Sequence, residues 1–261
     1  MKGHSLYLPE HNAHLRYYRA PGQQPARIYL NGLGGESLVS FLHIVTHPAL
    51  ADRETLLVDF LGFSLSDPAE DFDYSLVSHA RSVAFLLDRI DIAGCEVVGY
   101  SLGGSVAIVL AAMRPDLVSQ LVVAEGNLDP GIGTMSVRIA TQTPDEYLGE
   151  GHQAEVRRFR SNLPLFAGVV AIANPLAMYW TARGLYEGTT PTMREHFQSL
   201  SMSRTFIAGE KSLPNSGWEQ LNHADIPLLV VPDTGHMFTS DNPNGFAEAI
   251  ALAFRRPSGA T

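Results

Sequence analysis

Cys95 is the only cysteine in this 261-residue chain, which excludes an intramolecular disulfide and any zinc cluster built on thiolates. Lying beside an expected strand, it reads as a small packed residue rather than a reactive thiol. Basic residues are scarce too: 18 lysines and arginines against 27 aspartates and glutamates, for a net charge of −9. The densest basic run, Arg157-Arg158-Phe159-Arg160, is short and isolated and reads as a solvated helix face. Nucleic acid and anionic membrane surfaces are therefore not expected as partners. The opening Met1-Lys2-Gly3-His4-Ser5-Leu6 has no apolar h-region, and no apolar run approaches about 18 residues. A cytoplasmic location and no membrane association are the expectation. No internal repeat or low-complexity segment is evident.

What the chain does have is apolar content, 45% by composition, enough for the core of a single α/β domain. Strand-like runs alternate with helical patterns. Ser5 to Leu8 and Leu15 to Arg19 read as an opening hairpin. Strands at 27–30, 55–60 and 96–100 then alternate with helices near 37–46, 75–90 and 102–113. Strands near 120–124, 204–208 and 228–231 complete a mostly parallel, eight-stranded sheet flanked by helices. About 75 residues between the sixth and seventh strands, Asn127 to Ser203, are more than this alternation needs. They read as a helical cap with helices at Pro144–Leu148, Gly151–Ser161, Pro164–Trp180 and Thr192–Leu200. The expected division is therefore a core of 1–126 and 204–261 and a cap of 127–203.

The most informative stretch is Val97-Val98-Gly99-Tyr100-Ser101-Leu102-Gly103-Gly104. It is a β-branched run entering a glycine-flanked turn, followed by an alanine-rich helical pattern that Arg114-Pro115 stops. In G-x-S-x-G the glycines leave room for a strained strand-to-helix turn that lifts the serine hydroxyl out of the sheet. Ser101 is the candidate nucleophile. His236 follows the last expected strand through Pro232-Asp233-Thr234-Gly235, and a histidine there can take and return the serine proton near neutral pH.

Carboxylates that could orient His236 stand after two strands. The apolar run Gln120-Leu121-Val122-Val123-Ala124 ends directly in Glu125, where a lone glutamate is costly unless paired. Glu125 is the first choice of acid, with Glu210 and Asp129 as alternatives. For the oxyanion, Asn31-Gly32-Leu33-Gly34-Gly35 follows the strand at 27–30, so Leu33 N–H is one candidate donor. Leu102 N–H, at the start of the helix after the nucleophile, is the other. His43 and His47 are four apart in an expected helix but lack a third ligand. His79, His152, His196 and His223 have no visible partner.

Taken together, the oxyanion segment, Asp59-Phe60-Leu61-Gly62-Phe63-Ser64-Leu65-Ser66-Asp67, the serine elbow and Gly235-His236 resemble the α/β-hydrolase superfamily over nearly the whole chain. Two positions depart from its common pattern. Asn31 stands where many members carry histidine, and Ser212 occupies the usual acid position after the seventh strand. The second departure points to members that place a glutamate after the sixth strand, in agreement with Glu125.

The resemblance implies a cofactor-independent serine hydrolase that cleaves a carboxylic ester or lactone through an acyl-enzyme. Acyl transfer, carbon-carbon bond hydrolysis or cyclisation at the same site are compatible with the same triad, and a non-catalytic ligand binder is a further alternative. Phe166, Met178, Tyr179, Trp180 and Tyr186 make the cap apolar and aromatic, which suits an apolar or ring-bearing substrate, although they could equally be the cap's own core. An apolar cap helix could serve as a lid surface or as a homodimer contact. No cofactor or metal is expected.

Overall fold

The computed structural model describes residues 1–213, 221 and 226–255. His223 and the tail from 256 lie outside the described residues. Eight strands form one sheet: β1 (Lys2–Leu8), β2 (Ala13–Ala20), β3 (Gln23–Leu30), β4 (Arg53–Asp59), β5 (Cys95–Tyr100), β6 (Val118–Ala124), β7 (Ser203–Gly209) and β8 (Leu228–Val231). Their spatial order is β1-β2-β4-β3-β5-β6-β7-β8. β2 runs antiparallel to both β1 and β4, and every pair from β4·β3 to β7·β8 is parallel. This is an α/β-hydrolase fold. The opening hairpin is longer than its apolar alternation suggested, because main-chain pairing continues past the buried positions to Lys2↔Arg19.

Helices cover both faces. On one side lie α1 (Ser37–Val45) and α11 (Pro243–Arg255); on the other lie α2 (Leu76–Arg89) and α3 (Leu102–Met113). β5 is buried at every position and α3 from Leu102 to Ala111, which is why neither shows a polar face in sequence. Cys95 is fully buried at the start of β5 and its thiol donates to the Leu117 carbonyl.

Between β6 and β7 lie α4 (Thr134–Ala140), α5 (Pro144–Glu146), α6 (His152–Phe159), α7 (Pro164–Ile172), α8 (Pro175–Glu187) and α9 (Met193–Ser199), while α10 (Phe238–Asp241) follows β8. A π-helical turn, Tyr147–Gly151, joins α5 to α6. The single helix expected at Pro164–Trp180 is in fact two, α7 and α8, meeting at 105°. Asn174 ends the run: its side chain accepts from the Leu176 and Ala177 amides while Pro175 takes the first turn of α8. Among the described residues no single helix is long and apolar enough to cross a membrane.

The insertion is anchored through polar contacts. Fully buried His79 on α2 shares a 3.0 Å hydrogen bond between Nε2 and Thr181 Oγ1 on α8. Burial drives its pKa down to about 3, so the ring is neutral. His152 on α6 pairs with the Val170 carbonyl of α7 at 3.0 Å.

Parallel register decides where the chemistry collects. Leu30 pairs with Gly99, Gly99 with Val123, Ala124 with Ile207 and Gly209 with Val231. The segments leaving β3, β5, β6, β7 and β8 therefore emerge side by side at the carboxyl edge of the sheet, where open α/β sheets hold their ligands.

Candidate active site

Ser101 sits between β5 and α3 with φ 54° and ψ −120°, a left-handed conformation that costs a non-glycine residue free energy and persists only where its surroundings impose it. The turn is tight enough to forbid side chains beside it. A Cβ on Gly99 would lie 2.3 Å from the Gly103 carbonyl oxygen, and one on Gly103 would lie 2.0 Å from the Leu30 carbonyl oxygen. The two glycines of the motif thus let the elbow close against β3. Ser101 N–H donates to the Ala124 carbonyl at 2.9 Å, which fixes the elbow to the end of β6.

Glu125 is the next residue along β6 and also has positive φ, 45°. Its N–H donates to Ile207 O at 3.0 Å. Its carboxylate then spans two loops: Oε1 accepts from Gly209 N–H at 2.9 Å and Oε2 lies 2.6 Å from His236 Nδ1. The other ring nitrogen, Nε2, is 3.1 Å from Ser101 Oγ. A carboxylate on Nδ1 makes that nitrogen the donor, leaving Nε2 to accept the serine proton. Burial alone would raise the Glu125 pKa, but the His236 hydrogen bond and charge, the Gly209 N–H and the Ser212 hydroxyl hold it below the ordinary carboxylate range.

The two alternative acids are engaged elsewhere. Asp129 pairs with Arg194, accepting from Nε at 2.9 Å. Glu210 accepts from Asp233 N–H at 2.9 Å, while Lys211 N–H donates to Thr234 O at 2.8 Å and Lys211 Nζ to Asp233 O at 2.6 Å. The turn after β7 thus clamps the loop that carries His236. A second support comes from Tyr100, beside Ser101. Its hydroxyl donates to the His236 carbonyl at 2.9 Å, and its ring lies 5.4 Å from the imidazole. Neither support was expected from sequence, since both depend on loops brought together by the sheet.

The segment Asn31 to Gly35 packs directly on Ser101: a Cβ on Gly32 would be 3.4 Å from Ser101 Cβ. Gly35 N–H donates to Gly32 O at 3.0 Å, tightening the turn around Leu33. Leu33 N–H makes no backbone hydrogen bond among the described residues, and Leu102 begins α3, where an amide has no partner within its own helix. Asn31 is fully buried and lies beyond Leu30 as Asp59 lies beyond Val58 in the parallel ladder.

These groups open into a cavity of about 1200 Å³. One wall comes from the inserted helices and is largely apolar, with Met135, Phe159, Phe166 and Val169 among its lining. Of the five aromatic and methionine residues expected to shape the pocket, Phe166 lines it. The other four lie outside its lining: Met178, packed against Gly34, and Tyr179 are buried, Tyr186 is half-buried and Trp180 is 42% exposed. α4 supplies Thr134 to Arg138 to the wall; it went unseen in sequence because glycines at 131 and 133 mark its approach as loop. His43 lines the opposite wall, whereas His47 lies beyond the end of α1. Among the described residues no three His, Cys, Asp or Glu side chains cluster to hold a metal.

Comparison with known proteins agrees with this architecture. The family model described as alpha/beta hydrolase fold matches residues 28–210. A putative 2-succinyl-6-hydroxy-2,4-cyclohexadiene-1-carboxylate synthase of Bacillus subtilis is 24% identical over 255 residues, covering 88% of this chain and 90% of that protein. A 2-(acetamidomethylene)succinate hydrolase of Mesorhizobium japonicum is 26% identical, covering 89% and 88%. Among solved structures, a mutant of an N-acyl homoserine lactonase complexed with N-hexanoyl homoserine superposes with a TM-score of 0.80 at 16% identity, covering 100% of this chain and 98% of that one.

Proposed function

The chain belongs to the α/β-hydrolase family, and from that membership and the geometry above we propose that it is a cofactor-independent serine hydrolase cleaving a carboxylic ester or lactone. The observation that carries this reading is the continuous hydrogen-bonded line from Ser101 Oγ to His236 Nε2 at 3.1 Å and from His236 Nδ1 to Glu125 Oε2 at 2.6 Å.

In this mechanism Ser101 Oγ attacks the carbonyl carbon as its proton passes to His236 Nε2. Glu125 stabilises the imidazolium and fixes its tautomer. The carbonyl oxygen, now negative, is held by Leu33 N–H and Leu102 N–H, the latter at the positive end of α3. The imidazolium protonates the departing oxygen and the bond to the alcohol breaks, leaving an acyl-enzyme. A water then repeats the sequence in reverse, with His236 as its base, and frees the acid and Ser101. Preorganised donors of this kind are worth on the order of 3 kcal/mol each to the barrier. The inserted helices act as a cap that keeps bulk water off the oxyanion.

The test is turnover of a panel of short- and medium-chain esters and lactones by the wild type, Ser101→Ala and His236→Ala. Hydrolysis by the wild type alone supports the reading; equal turnover by Ser101→Ala contradicts it.

A further inference from the structure

Two carboxylates line the cavity among the described residues, Glu125 and Glu36. Glu125 is fully engaged. Glu36 takes part in no side-chain hydrogen bond or ion pair among those residues, although it is half-buried and faces a cavity wall. Burial raises its pKa, and no neighbouring cation offsets that shift. Its charge instead adds to that of buried Asp59, whose pKa it raises further. Three arginines line the same cavity: Arg138 pairs with Glu155 at 2.6 Å, Arg158 stands 3.9 Å from that same Glu155, and Arg194 pairs with Asp129. Glu36 is therefore the lining carboxylate whose charge no neighbouring cation offsets.

Its place is held rigidly. Glu36 lies between Gly35, bonded to Gly32 O, and Ser37, whose N–H and hydroxyl both donate to Asp59 Oδ1 at 2.8 and 2.6 Å. Its own carbonyl accepts from Ser40 N–H at 2.9 Å. The wall it belongs to continues through Ser40 on α1 and Thr239 on α10, and α10 begins two residues after His236. The leaving oxygen must lie within reach of His236 Nε2 to be protonated, so this wall faces the departing group while the apolar insertion faces the acyl part.

We infer that Glu36 is a specificity determinant for the leaving group, favouring esters whose departing alcohol carries a positive charge and disfavouring those whose alcohol carries a carboxylate. A partly buried carboxylate a few ångströms from such a charge gains about 1 kcal/mol of attraction, or about fivefold in rate constant, and loses as much against an anion. This rests on the hydrolase reading above, so its test separates the two.

Three butyrate esters provide the probe: choline butyrate, its neutral isostere 3,3-dimethylbutyl butyrate, and carboxymethyl butyrate. At pH 8, kcat/KM for the choline ester should exceed that for the neutral isostere about fivefold, and the carboxymethyl ester should fall below it. In Glu36→Gln both ratios should move to near one. Ratios that are the same in the wild type and Glu36→Gln overturn the inference. If the wild type hydrolyses none of the three, the ester and lactone panel above decides the hydrolase reading, and calorimetric binding of the same esters to Ser101→Ala decides the inference alone. Tighter binding of the choline ester that Glu36→Gln/Ser101→Ala abolishes upholds it; equal binding in both overturns it.

Discussion

Glu125 Oε2 lies 2.6 Å from His236 Nδ1 although 111 residues separate them in the chain. The pairing exists because β6 and β8 flank β7 in the parallel sheet and end at the same edge. Replacing Glu125 by alanine should lower kcat by about 10⁴-fold, the loss found when the acid of a Ser-His-acid triad is removed. Glu210→Ala loses one loop hydrogen bond and should cost no more than about tenfold. Steady-state kinetics of the two variants check the ranking; near wild-type turnover by Glu125→Ala would remove it from the site.

The same carboxylate carries a pH signature. Because its folded pKa is lowered, ionised Glu125 contributes stability that is fully present above the ordinary carboxylate range and is lost as pH falls through the lowered value. Melting temperatures of the wild type and Glu125→Gln, followed from pH 7 down to pH 3, should therefore converge at the acid end. A constant difference across that range would contradict the pairing.

Asp59 should behave in the opposite sense. It is fully buried at the end of β4, and burial raises its carboxyl to about 6 despite the hydrogen bonds from Ser37. Between the ordinary carboxylate range and pH 6 the folded state holds more protons than the unfolded one, so stability falls as pH rises through that window. A displacement of that size corresponds to about 3 kcal/mol. Asp59→Asn keeps an acceptor for Ser37 and should lack this slope, becoming progressively more stable than the wild type between pH 4 and pH 7. Denaturant titrations at several pH values measure it, and parallel curves for the two proteins would refute it.

Steric closure of the elbow gives a prediction independent of charge. A methyl group on Gly103 would meet the Leu30 carbonyl oxygen at 2.0 Å, so Gly103→Ala should lose several kcal/mol or fail to accumulate as soluble protein. Gly149 has no neighbour within 4 Å of an added Cβ and does not have positive φ. Gly149→Ala is the matched control and should stay within about 1 kcal/mol of the wild type.

Much of this was legible in the sequence, and where it was not the reason is physical. The elbow is encoded within eight residues, because a turn that needs glycine on both sides of a serine leaves a local signature. His236 was visible for a similar reason, as a titratable residue closing a turn after an apolar strand. Glu125 could be singled out since a charged residue ending a buried strand demands a partner. The break between α7 and α8 was missed because apolar periodicity continues through it, while the deciding signal was the short Asn174-Pro175 pair. What Tyr100, Glu210 and Glu36 do could not be read at all. Each acts through loops that meet only when parallel register brings five strand ends together, and nothing local marks such a meeting.

The central claim is that Ser101 is an activated nucleophile, and the intact mass of the purified protein after exposure to a small fluorophosphonate tests it most directly. One adduct on the wild type and none on Ser101→Ala is the expected result. A folded wild type that takes no adduct, or an adduct that persists in Ser101→Ala, would contradict the account.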